Sequence, residues 1–172
     1  MSSQDDGPSN RCQPPNGDER EPWRRNWLAQ DQPWRSEPEI APSRQRALAA
    51  QRDVPSNVLR GVYTFQQVEP PLTRADVEWL LATHESLGLV GPIDWAEPWQ
   101  AERSGVDLRG TDLRGLDLSR LPLTGMRGGL VGDHWANASP QLREAAAVRL
   151  EGANLREAQL QLAELGGAHL QG

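Results

Sequence analysis

The sequence predicts a mainly β chain built as a short solenoid, preceded by a leader that is partly disordered and partly α-helical. Three observations predict this class. Leucine stands at every fifth residue in two arrays, VDLRGTDLRGLDLSRLPLTG over Val106 to Gly125 and VRLEGANLREAQLQLAELGGAHLQG over Val148 to Gly172. A step of five suits neither regular element. The residues ahead of the arrays carry only short helical signals, broken by proline.

On an α-helix a step of five turns through about 500°, so successive leucines would land about 140° apart and form no stripe. On a flat strand side chains alternate, and an odd step would throw Leu108 and Leu113 to opposite faces. The spacing is satisfied by a chain that turns a corner once per five residues. Each side of a square coil then points one central leucine inward, and stacked coils share ladder hydrogen bonds. The centres are Leu108, Leu113, Leu118 and Leu123, with the pattern failing at Gly128, then Leu150, Leu155, Leu160, Leu165 and Leu170. Two positions before each centre the second array has Val148, Ala153, Ala158, Ala163 and Ala168, small enough for a tight inner corner.

The motif of ANLRE at 153–157, with VDLRG, TDLRG and LDLSR at 106–120, resembles the pentapeptide-repeat family and its A-[DN]-L-x-x unit. The resemblance implies a right-handed quadrilateral β-helix over about 50 residues, while the all-Arg basic residues point to a bacterial source and the lack of a nucleophile-base pair, metal set or cofactor loop points to a non-enzymatic protein. The resemblance is specific for fold and nearly silent on activity.

Five stretches follow in order. Residues 1–22 are polar with little to bury and are expected to be a disordered tail. Residues 23–103 form the leader. Within it SRQRALAAQR suggests a helix over 43–52 capped by Ser43. LTRADVEWLLATHESLG suggests another over 74–87, with Thr73 as cap, Asp76 at the reciprocal third position and Gly88 as the stop. The first array occupies 104–130. An insertion at 131–147 is expected to stand out from the coil as a loop or arm, with Ser139-Pro140 opening a helix. The second array fills 148–172. So short a coil is expected to need the Val77, Leu80, Leu81 face of the 74–87 helix as a cap on its first layer.

Composition excludes several function classes. Residues 1–50 carry 8 acids and 7 Arg, residues 51–100 carry 7 acids and 3 Arg, and residues 101–172 carry 9 acids and 8 Arg. No part has the basic excess of a nucleic-acid binder, so no nucleic acid is expected as partner. All basic residues are Arg, which fits a GC-rich coding bias. No run approaches the ~18 apolar residues of a membrane span and the start is acidic, so the chain is expected to be cytoplasmic with no membrane partner. Cys12 is alone and reads as an exposed thiol.

No residue is assigned a catalytic, cofactor-binding or metal-binding role, and no cofactor is expected. WRRNWLAQDQPWR at 23–35 mixes Trp23, Trp27 and Trp34 with Arg, as base-stacking surfaces do. Residues 19–39 hold five acids against four Arg, however, which favours docking of the Trp rings on protein. His84, His134 and His169 lack ligand-type spacing, and His169 is expected to face solvent. Asp107, Asp112 and Asp117 sit on successive sides of the coil and cannot pair, so they are expected to bond their own corners. TGMRGGLVGD at 124–133 lacks the Lys-Ser/Thr ending of a phosphate loop and reads as a flexible exit from the first array. The expected function is a protein-interaction scaffold with an unknown protein partner or self-association through the C-terminal coil. The alternatives are a DNA-mimic topoisomerase inhibitor or a truncated fragment of a longer repeat protein.

Overall fold

In the computed structural model residues 14–171 are described, so Cys12 and residues 1–13 of the expected tail lie outside them. The chain divides into two compact units, Met1–Pro38 and Glu39–Gly172. The described part of the first unit holds helix α1, Arg20–Ala29, which starts inside the stretch 1–22. Trp23 and Trp27 stand one turn apart on it and stack with ring centroids 5.5 Å apart. Their indole N–H groups donate to the carbonyls of Gly17 and Glu37, both at 2.8 Å, and the Arg35 guanidinium lies 3.6 Å from the Trp27 ring centre. Those aromatic rings are spent within their own unit.

The second unit carries helices α2 (Pro42–Arg52), α3 (Arg74–Ala82), α4 (Gly132–Asn137) and α5 (Pro140–Ala146). Its strands β1 (Glu85–Ser86) and β2 (Leu89–Val90) form an antiparallel hairpin, the only sheet among the described residues. The expected mainly β class, with a right-handed quadrilateral β-helix of strands, is therefore overturned. Among the described residues helices supply most of the regular structure, and the two arrays contain no strand there. No helix among the described residues is long and apolar enough to cross a membrane.

The reason lies in the backbone of the arrays. Each unit closes a turn in which the carbonyl of the central leucine accepts from the N–H three residues on, as from Leu108 to Thr111 and from Leu155 to Ala158. The third residue of that turn is left-handed every time: Gly110, Gly115, Arg120 and Gly125, then Gly152, Glu157, Leu162 and Gly167. A positive φ at that place is the signature of a type II turn. A corner every five residues leaves too little extended chain for a ladder, so successive layers meet through isolated parallel bridges. Asp107 bridges Arg127, which bridges Glu164; Asp112 bridges Arg149, which bridges His169; Asp117 bridges Asn154 and Pro122 bridges Gln159.

The central leucines are buried from the bottom of this stack upward. Leu108, Leu113, Leu118 and Leu123 are at most 1% exposed and Leu150 is 2% exposed. Leu155, Leu160 and Leu165 are only half-buried, and Leu170 is 52% exposed.

Helix α3 begins with the capping box: Thr73 accepts from the Asp76 N–H, and Asp76 accepts from the Thr73 N–H at 2.8 Å. Arg44 of α2 grips the same Asp76 carboxylate at 2.9 and 3.1 Å. The helix ends at Ala82 instead of running to 87. Thr83 bonds back to the Trp79 carbonyl, and Leu87 and Gly88, both with positive φ, turn the chain into the β1–β2 hairpin. Gly88 is thus a hairpin residue and not a helix stop. Val77, Leu80 and Leu81 are buried.

The insertion does not stand out as an arm. Ala146 joins Tyr63 and Leu130 in a buried cluster, with Val58, Trp135, Ala138 and Ala145 packed against it. The TGMRGGLVGD exit is not flexible either, since Gly128 and Gly129 are buried. A Cβ on Gly129 would overlap the carbonyl oxygen of Gly166 in the next layer.

These two uses of glycine separate in a stability measurement. Gly115 has φ +66° and no other group within 4 Å of the place a Cβ would take, so Gly115→Ala is expected to cost about 1 kcal/mol from the left-handed backbone alone. Gly129→Ala is expected to cost several times more in urea unfolding, because two layers would have to move apart.

Candidate functional site

Several charged and polar groups link leader and coil in the second unit. Asp107 and Asp112 occupy the same place in VDLRG and TDLRG. In both units the Asp Oδ1 accepts from the backbone N–H two residues on, at 3.3 and 3.2 Å. Both also take a two-pronged hydrogen bond from the Arg side chain at that position, at 2.8 and 2.6 Å in each case. Asp117 and Asn154 make the same backbone bond, to Ser119 and Arg156. Each carboxylate therefore serves its own corner, and the acidic row forms no pair.

Burial then distinguishes the two matching pairs. The Arg109 and Asp107 side chains are 4% and 18% exposed, against 52% and 39% for Arg114 and Asp112. The leader covers the first pair: Ser56 donates to Asp107 at 3.0 Å and shares a hydrogen bond with Thr64, while Arg109 lies 4.8 Å from the centre of the Tyr63 ring. Burial works to raise the Asp107 carboxyl, but the bonds and charge of Arg109, with Arg127 adding, hold it below the ordinary carboxylate value. Burial pushes the Tyr63 hydroxyl up.

A second charged anchor was missed in the sequence. Arg74, at the start of α3, is 9% exposed and donates to the fully buried Glu78 at 2.8 Å. It also donates to the carbonyls of Asp117, at 2.6 Å, and Ser119, at 3.1 Å. Positions 74, 78 and 81 share one helix face with Val77. An Arg and a Glu on that apolar face were the available signal.

The histidines stay apart. His84 Nε2 lies 2.7 Å from the Ser104 carbonyl, and burial, with Arg52 and Arg103 adding, lowers its pKa. His134 is exposed on α4. His169 does not simply face solvent: its two ring nitrogens meet different carboxylates, Glu144 at 3.1 Å and Glu151 at 3.3 Å. Among the described residues no group of His, Cys, Asp and Glu converges as a metal set. A cleft of about 410 Å³ opens between Phe65, Leu72, Thr111, Glu144, Ala147 and Arg149. Several polar groups in its wall are already bonded, Gln66 to the Ala145 carbonyl and Thr111 to the Leu108 carbonyl.

The five-residue corners, the inward leucines and the bridged layers agree with a family match. The family model described as Pentapeptide repeats (8 copies) matches residues 146–172. Over that segment the chain is similar to the pentapeptide-repeat family. The copy number belongs to the family description; the matched span here holds the units centred on Leu150, Leu155, Leu160, Leu165 and Leu170. No curated protein and no solved structure matches the chain. The pentapeptide units from 106 to 125 lie outside the matched residues, yet their left-handed corners repeat those of the second array, and their Asp-to-backbone bonds have a counterpart at Asn154.

The Asp107 and Asp112 pairs make a matched test. Removing one partner of a buried pair leaves the other uncompensated, so Asp107→Ala is expected to cost about 3 kcal/mol. Asp112→Ala is expected to change the unfolding midpoint little. Because the folded Asp107 value lies below the unfolded one, its contribution is present above about pH 4 and is lost as pH falls through the folded value. Asp107→Asn should flatten the acid limb of a Tm-against-pH curve.

Proposed function

We propose that the chain is a non-enzymatic scaffold that binds protein, and that its last coil layer associates with the same layer of a second copy. The observation that carries this reading is the gradient of burial along the stack. Leucines of the first layer are sealed, whereas Leu162 is 55% and Leu170 52% exposed, and Leu155, Leu160 and Leu165 are half-buried around them. Asn154 and Gln159 bridge the layer below, and among the described residues no layer bridges their other side. Exposed leucines together with open backbone edges favour association.

The charge distribution supports a protein contact over DNA mimicry by a topoisomerase inhibitor, which needs a surface of one sign. Here Asp107 and Asp112 pair with Arg109 and Arg114, and Glu157 and Glu164 pair with Arg120 and Arg127. The array carboxylates are engaged in corners and ion pairs, which supports a structural role over acid–base chemistry.

Sedimentation equilibrium tests the reading. The full chain is expected to form a dimer with a dissociation constant on the order of a micromolar. Leu162→Glu with Leu170→Glu is expected to shift it to monomer while leaving the fold intact. A chain that stays monomeric far above that concentration would overturn the self-association.

A further inference from the structure

Residues 84–103 form a loop that is fixed from within. Arg103, 6% exposed, donates to the carbonyls of Leu89, Gly91 and Pro92 at 3.1, 2.7 and 3.2 Å, and to Gln100 Oε1 at 2.7 Å. The same Gln100 oxygen accepts from the Asp94 N–H, and Asp94 accepts from the Ala96 N–H. At the base of the loop Ser86 accepts from the Ser104 N–H. Ile93 is buried, at 4%.

Two tryptophans are left outside this stapled framework. Trp95 is 46% and Trp99 59% exposed, and the neighbouring hairpin adds Leu87 at 71% and Val90 at 67%. The Trp99 indole N–H donates to Glu97 at 3.0 Å, which orients that ring. A Trp99 ring already oriented and left in water costs little further ordering when a partner arrives, the condition that favours recognition.

The surrounding charge indicates what that partner carries. Glu85, Asp94, Glu97 and Glu102 are all exposed, and residues 85–102 contain no Arg or Lys. The nearest cation in sequence, Arg103, is buried and spent on carbonyls. Indole faces attract cations, guanidinium stacks on them better than ammonium, and carboxylates beside the rings add a pairing partner. The same acids repel nucleic acid and anionic lipid. We propose that the Trp95–Trp99 loop is a docking surface for an arginine-bearing segment of a partner protein. This surface is distinct from the coil end and goes beyond the contact proposed there.

The test is titration of the full chain with a short peptide of alternating Gly and Arg, and with the same peptide carrying citrulline in place of Arg. Binding is read by calorimetry and by tryptophan fluorescence. The arginine peptide is expected to bind and the citrulline peptide is not, and added salt is expected to weaken the complex. Trp95→Ala with Trp99→Ala is expected to lower affinity about tenfold. Trp99→Leu, which keeps apolar bulk but removes the π face, and Glu102→Gln are each expected to lower it several-fold. Far-UV circular dichroism establishes that each variant is folded, and the two single variants keep the test alive if the double variant is not. No binding of the arginine peptide, equal binding of both peptides, undiminished binding by the folded variants, or preference for an oligothymidylate would each overturn the proposal. A chain that dimerises through its coil yet ignores the peptide overturns this inference alone.

Discussion

The left-handed corner that recurs every fifth residue is the constraint from which the rest of the second unit follows. It bends the chain before an extended segment can lengthen, and it returns Leu108, Leu113, Leu118, Leu123 and Leu150 to a shared interior. Glycine takes that corner at little cost, and Arg120, Glu157 and Leu162 hold it against the steric preference of their own side chains. Hydrogen bonds between layers then fix the spacing, and the Asp or Asn one residue before the leucine ties the corner to the backbone two residues on.

Burial differs between the layers of the coil. Near the first layer, Arg74 of α3 reaches two coil carbonyls while Glu78 neutralises it, and the loop around Ser56 and Tyr63 seals the Asp107–Arg109 pair. These are charged contacts in a dry setting, which fix one docking geometry more sharply than apolar packing does. At the last layer the leucines stay partly in water.

The insertion shows how tolerant the coil is of added chain. Residues 131–147 leave after Leu130 and return at Val148, and the bridge columns on either side remain in register, Asp107 over Arg127 and Asp112 over Arg149. The excursion packs on the leader because its small residues, Ala145 and Ala146, let α5 lie close to Gly61 and Tyr63.

Residue order alone was enough to read the periodic elements: five-residue corners, inward leucines, the Asp bonds at the corners and the capping box at Thr73. These rest on contacts between residues close in the chain, so spacing reveals them. The class of regular structure was misjudged, because a period of five announces corners without saying that too little extended chain remains between them for a strand. Gly88, the 124–133 exit and His169 were misjudged as well, since their roles come from a hairpin, an adjoining layer and two carboxylates distant in sequence. Three-dimensional packing was needed to settle which of two matching Asp–Arg pairs is buried, which leucines stay wet, and that Trp95 and Trp99 remain exposed. Those outcomes depend on what the rest of the chain lays over each residue, and no local pattern carries that information.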